Sequence, residues 1–179
     1  MKTTQILIAG FGGQGILFSG KFLAYKGLLE GIQVSWLPSY GPEMRGGTAN
    51  CNVILSDTPV GSPIITVPDV LVAMNLPSLE KYVNSVAPGG QIYVDSSLIG
   101  AKVERNDVEV FYIPATQMAK DEGIGSLANM IIVGHLLENN PELSFAGTDE
   151  VVEKLVPPKK AALKELNMKA LNLGKEYNK

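Results

Sequence analysis

The sequence predicts a single three-layer α/β/α domain with a mostly parallel or mixed sheet and a C-terminal helical arm. Uninterrupted apolar runs such as Ile6-Leu7-Ile8-Ala9 are bounded by glycine or proline, the mark of strands buried on both faces. These runs alternate with helical stretches, as in βα units. A length of 179 residues with 45% apolar composition gives one continuous core and leaves no room for two full enzyme domains.

Ile6 to Ala9 is the first strand, and it runs into the glycines of Gly10 to Gly15. Ile16, Leu17, Phe18, Phe22, Leu23, Leu28 and Leu29 then suit a helix that stops at Gly31. Val34 to Leu37 reads as a second strand. The prolines and glycines from Pro38 to Gly47 exclude regular structure there. Further strands are expected over Thr48 to Ser56, with Cys51, Val53 and Leu55 on one core-facing side, and over Val70 to Met74, Ile92 to Val94 and Val108 to Ile113. A short helical stretch around Leu79, Tyr82 and Val86 ends at Pro88-Gly89-Gly90. Ser126 is placed to cap a helix carrying Leu127, Met130, Ile131, Val133 and Leu137, in which Gly134 permits close packing against a neighbour. Thr148-Asp149-Glu150 opens a short helix by the same logic. Residues 1–156 form the α/β domain, and Pro157-Pro158 separates it from a C-terminal amphipathic helix, 157–179, with Leu163, Leu166, Ala170, Leu173 and Tyr177 on one face. That helix either packs on its own domain or docks on a partner subunit.

Composition removes several function classes. Net charge is −3 and there are two arginines, Arg45 and Arg105, which argues against a nucleic-acid partner. One cysteine, Cys51, and one histidine, His135, cannot supply a zinc tetrahedron, an iron-sulfur cluster or a disulfide framework. No metal site is expected here, and any cluster belongs to another chain. No run approaches the roughly eighteen apolar residues of a membrane span. The stretch Ile6 to Ala9 is too brief for a signal-peptide core, so a cytoplasmic location is expected.

Gly10-Phe11-Gly12-Gly13-Gln14-Gly15 satisfies G-x-G-x-x-G between a buried strand and a helix. Glycines there let backbone approach a diphosphate, which sits on the helix N–H groups and the positive end of the helix dipole. A dinucleotide fold also needs an acid at the end of the second strand, where this chain has Trp36-Leu37-Pro38-Ser39. The acid is missing. The glycines then serve another anion, or merely a tight strand-helix turn.

The second candidate is the loop Ser39-Tyr40-Gly41-Pro42-Glu43-Met44-Arg45-Gly46-Gly47, an interface or substrate loop at a strand end. Arg45 either clamps a carboxylate or phosphate bidentately or pairs with Glu43 at the surface. Asp95-Ser96-Ser97 and Asn75 follow strands and suit ligand binding or capping. His135 lies in an apolar helix and reads as a satisfied packing residue. No catalytic residue is expected, because one histidine without a nucleophile elbow gives no triad.

Taken in order, the two glycine segments, Ser62-Pro63, Asp69-Val70-Leu71-Val72-Ala73-Met74-Asn75 and Asn129-Met130 closely resemble the gamma subunit of 2-oxoacid:ferredoxin oxidoreductases. The resemblance covers about residues 4 to 137. The run Arg45-Gly46-Gly47-Thr48-Ala49 with a following cysteine is more similar to the 2-oxoglutarate branch than to the pyruvate branch. It implies a hetero-oligomer whose alpha and beta chains hold thiamine diphosphate and Mg, with iron-sulfur clusters on the beta or a ferredoxin-like delta chain. The complex decarboxylates a 2-oxoacid, passes electrons to ferredoxin and transfers the acyl group to coenzyme A. This chain has neither a cluster motif nor a Gly-Asp-Gly metal motif for thiamine diphosphate, so it binds no cofactor alone and is inactive in isolation. An NAD-dependent oxidoreductase acting alone and a non-catalytic small-molecule binding module stand as alternatives.

Overall fold

The computed structural model describes residues 3–39 and 48–178. A six-stranded sheet has the order β2-β3-β1-β4-β5-β6, with β1 Thr4–Phe11, β2 Gln33–Ser39, β3 Thr48–Ser56, β4 Val70–Ala73, β5 Gln91–Asp95 and β6 Glu109–Ile113. Strands β1, β4, β5 and β6 run parallel, whereas β3 is antiparallel to both β1 and β2. The sheet is therefore mixed. Because β3 separates β1 from β2, the crossover through α1 (Ile16–Leu29) skips one strand.

Helices cover both faces, unevenly. One face holds α1, α3 (Ala115–Asp121), α4 (Ala128–Asn139), α5 (Thr148–Leu155) and α6 (Ala161–Glu176), over Ile6, Ile8, Cys51, Val53, Val72 and Tyr93. The other holds α2 (Leu76–Tyr82), whose Leu79 packs with Leu7, Leu71, Ile92 and Val94. Cys51, Val53 and Leu55 are buried on one side of β3 as their alternation requires. Helix α1 ends as expected at Gly31, where φ is 74° and the N–H groups of Gly31 and Ile32 return to the carbonyls of Leu28 and Gly27.

Two helix starts differ from expectation. Ser126 lies in a 3₁₀ turn, Gly125–Leu127, and α4 begins after Leu127 with no side-chain cap. Gly147, with φ 75°, takes the cap position of α5, so Thr148 is the first helical residue and is buried. In both places a preceding turn already directs the chain, and a capping hydroxyl is not used. Helix α3 is an addition to the elements read from sequence.

Helix α6 packs on α4 through small residues. A Cβ on Gly134 would fall on the Leu171 carbonyl, and one on Gly174 would fall on the Ile131 carbonyl, so the two backbones touch directly. Asn167, Ala170, Leu171 and Gly174 are the buried residues of α6, while Leu163 is 37% exposed. Leu166, Leu173 and Tyr177 of the expected stripe pack on the same core beside Ala170, while glycine sets the closest approach.

Candidate functional site

The crossover that leaves β1 runs through α1 on one face of the sheet, and the crossover that leaves the adjacent β4 runs through α2 on the other. The carboxyl ends of β1 and β4 therefore meet at a topological switch point, where open α/β sheets bind ligands. The glycine turn Gly10 to Gly15 sits there. Positive φ falls on Gly13 (92°) and Gly15 (75°), the latter being the cap of α1 without any side-chain hydrogen bond. The first helical N–H groups, at Ile16, Leu17 and Phe18, have no side-chain acceptor, because glycine carries none.

Gln14 shapes this turn. Its Oε1 accepts from the Phe11 N–H at 2.6 Å, and its Nε2 donates to the Met74 carbonyl at 2.9 Å. One side chain thereby ties the β1 turn to the end of β4. Gly10 is needed beneath it, since a Cβ there would stand 2.6 Å from Gln14 Oε1 and 3.0 Å from Met74 Cβ. From the helical layer, Asn129 at the start of α4 donates through Nδ2 to the Gly15 carbonyl at 3.1 Å and to Ser19 Oγ at 3.0 Å. Asn129 as a clamp on the turn is a role that sequence reasoning missed, because it joins positions 114 residues apart.

The neighbouring strand ends are used for capping. Asn75 Oδ1 accepts from the Ser78 N–H at 2.8 Å and starts α2. Asp95, fully buried, accepts from the Ser97 N–H at 3.1 Å and from Thr116 Oγ1 at 2.5 Å, so it holds the start of α3 instead of facing solvent. Ser39 is exposed at the end of β2; Tyr40, Gly41, Pro42, Glu43, Arg45, Gly46 and Gly47 lie outside the described residues. Arg105 donates to the Val83 and Val86 carbonyls at 2.9 and 2.7 Å and forks onto Asp107, whose carboxyl the guanidinium holds below its ordinary range.

His135 is a packing residue. It is buried against Tyr93, Phe111 and Tyr177, with Nδ1 3.0 Å from the Gly174 carbonyl, and burial holds its pKa below the ordinary 6.5. Burial likewise pushes the Cys51 thiol up to about 12, which leaves no thiolate for metal or nucleophilic chemistry. Among the described residues no group of three or more His, Cys, Asp or Glu side chains is arranged to hold a metal, and no helix is long and apolar enough to cross a membrane.

The geometry thus defines a class: a mixed α/β domain with a glycine turn at its switch point that opens a helix without a side-chain cap and, among the described residues, no metal cluster. The model of the pyruvate ferredoxin/flavodoxin oxidoreductase family matches residues 5–177. The chain belongs to that family. It is 38% identical to the ketoisovalerate oxidoreductase subunit VorA of Methanothermobacter thermautotrophicus over 97% of its own length, but spans about 36% of that relative. With the 2-oxoglutarate synthase subunit KorC of Methanothermobacter marburgensis it shares 35% identity over 96% of this chain and 95% of the relative. Its fold is similar to that of a keto/oxoacid ferredoxin oxidoreductase gamma subunit from Geobacter sulfurreducens, with TM-score 0.82, 31% identity, and coverage of 97% and 96% of the two chains. It also matches a 2-oxoglutarate:ferredoxin oxidoreductase from Magnetococcus marinus, solved with 2-oxoglutarate, coenzyme A and succinyl-CoA bound, at TM-score 0.88 and 28% identity, covering 98% of this chain and 31% of that one.

Proposed function

We propose that this chain is the gamma subunit of a 2-oxoglutarate:ferredoxin oxidoreductase, assembled with thiamine-diphosphate-bearing alpha and beta chains and iron-sulfur clusters held outside it. The end-to-end correspondence with a free-standing gamma subunit carries the reading. The match to KorC relatives of nearly the same length supports 2-oxoglutarate. The VorA match supports a second reading in which the substrate is a branched 2-oxoacid. Relatives in which this unit is about a third of a longer polypeptide support a partner chain that supplies the remainder.

Within the complex, the turn Gly10, Gly12, Gly13, Gln14 and Gly15 takes the diphosphate of coenzyme A. The residues fit the group: N–H donors at the start of a 14-residue helix have no side-chain cap, and the helix dipole favours an anion. When bound, coenzyme A supplies the thiol that receives the acyl group. Gln14 fixes the turn and occupies the Phe11 N–H, leaving the helical N–H groups to the ligand. The loop Ser39 to Gly47 lies at the subunit interface, with Arg45 on a partner or substrate carboxylate. The test is Gly12→Val in the reconstituted complex. Gly12 is exposed and outside the positive-φ set; thermal unfolding of the variant is measured alongside, and in the folded variant the Michaelis constant for coenzyme A rises. An unchanged constant in a folded variant removes the turn from coenzyme A binding.

A further inference from the structure

Side chains alternate along β3, so Cys51, Val53 and Leu55 face α1, while Asn50, Asn52 and Ile54 face the opposite side of the sheet. The pairing register sets Ser35, Leu37 and Ser39 of β2 beside them. On that side α2 packs over Leu7, Leu71, Ile92 and Val94, which belong to β1, β4 and β5. It reaches β3 at Tyr82, whose hydroxyl accepts from Asn50 Nδ2 at 3.3 Å. Among the described residues, the helix that packs on β2 and β3 is α1, on the other face. The connection from β3 to β4 fills part of the space: residues 58–62 stand against Gln5, Ile54 and Ser56, and Asn52 Nδ2 donates to the Pro63 carbonyl at 3.5 Å. Apolar side chains stay in solvent around that bond. Ile64, the next residue, is 63% exposed, and Leu37, directly across from Asn52, is 38% exposed. Phe11, at the end of β1 on the same side, is 40% exposed.

The segments that build this surface are uncharged. Gln33–Ser39, Thr48–Ser56 and residues 58–68 contain no Asp, Glu, Lys or Arg, although such residues make up 18% of the chain. Exposed isoleucine, leucine and phenylalanine on a surface stripped of charge have the composition of an interface core. The missing charge also selects the kind of partner. A transient electron acceptor is steered by complementary charge, whereas a permanent subunit is held by apolar burial. In relatives where this unit is about a third of one polypeptide, the remainder is covalently attached to it. Leu37 and Phe11 also lead directly into Ser39 and the glycine turn, where the proposed reaction needs the coenzyme A thiol to meet an acyl group held on another chain.

We infer that the uncharged half-face around Leu37, Asn52, Ile64 and Phe11 seats the thiamine-diphosphate-bearing partner chain, which supplies the outer layer that β2 and β3 lack on this side. The partner meets it with an apolar, uncharged surface of its own. This occupant is available only if the chain is the gamma subunit proposed above.

The test uses the complex purified through a tag on this chain. Ile64→Asp puts a carboxylate into the contact, and recovery of the thiamine-diphosphate-bearing chain falls by about tenfold. Thermal unfolding of the variant chain matches wild type, because Ile64 is exposed and outside the strands. Leu28→Asp, equally exposed but on α1 across the sheet, leaves recovery unaltered. A photo-crosslinking amino acid at position 64 joins this chain to the same partner. Undiminished recovery with Ile64→Asp, an equal loss with Leu28→Asp, or crosslinks from position 64 to a second copy of this chain or to ferredoxin would overturn the inference and leave the gamma assignment standing. Wild-type chain that recovers no thiamine-diphosphate-bearing partner would remove the gamma assignment, and this occupant with it. Should Ile64→Asp unfold early, the crosslink decides alone: capture of the thiamine-diphosphate-bearing chain supports the seat, and its absence refutes it.

Discussion

Gln14 does two jobs with one carboxamide, and neither was visible in the motif, where it stands as an unspecified position between glycines. Its bonds to Phe11 and Met74 cross from one strand end to the next, so only the parallel pairing of β1 with β4 brings them together. Gln14→Ala is expected to cost about 1 kcal/mol in urea unfolding, the usual net worth of an intramolecular hydrogen bond, and to raise the Michaelis constant for coenzyme A more than it lowers kcat. His135 gives a pH signature. Its folded-state pKa is depressed, so the unfolded chain binds the extra proton first as pH falls. Stability from this residue is fully present above about pH 6.5, declines below it, and levels off under the folded pKa. Thermal melts at pH 7.5 and 5.5 should show a drop that His135→Gln reduces. At this scale the sequence was legible where burial decides, as for Cys51 and His135, and illegible where a partner more than a hundred residues away decides, as for Asn129.

Among the elements, the α4–α6 contact rests on Gly134 and Gly174. Gly134→Ala inserts a methyl onto the Leu171 carbonyl and should destabilise by about 1–3 kcal/mol, read as a lower urea midpoint with an unchanged slope. Exposed Leu163→Ala should be nearly neutral by the same measurement. Periodicity located α6 and four of the five residues on its inward face, but not the Gly134–Gly174 contact, since a glycine that permits close approach carries no hydrophobic signal. Helix α3 escaped for a related reason. Its buried residues are the small Ala115 and Ala119, and its start is held by Asp95 from the end of β5 instead of by a local capping residue. The strands were legible because their apolar runs are continuous, as in β1 and β4, or alternate, as in β3. Their order was not, because placing β3 between β1 and β2 is a tertiary choice.

For the whole molecule, the proposed gamma role asks no redox chemistry of the described residues of this chain. Its one thiol is buried and kept protonated, and its strand ends hold turns and caps. The purified chain should therefore be colourless and should not oxidise 2-oxoglutarate; a visible cluster absorbance or turnover by this chain alone would contradict the gamma assignment. Within the complex, Arg45→Ala should impair assembly or turnover, measured by co-purification and ferredoxin reduction, and Arg45→Lys should fail to restore it because the planar fork is lost.

The most direct measurement is affinity purification of this chain, tagged, from its native host, followed by cofactor and activity assay of whatever accompanies it. The account predicts chains bearing thiamine diphosphate and iron-sulfur clusters, and electron transfer to ferredoxin that requires both 2-oxoglutarate and coenzyme A. Recovery of the chain without those partners, or with an activity that depends on NADH instead, would contradict it.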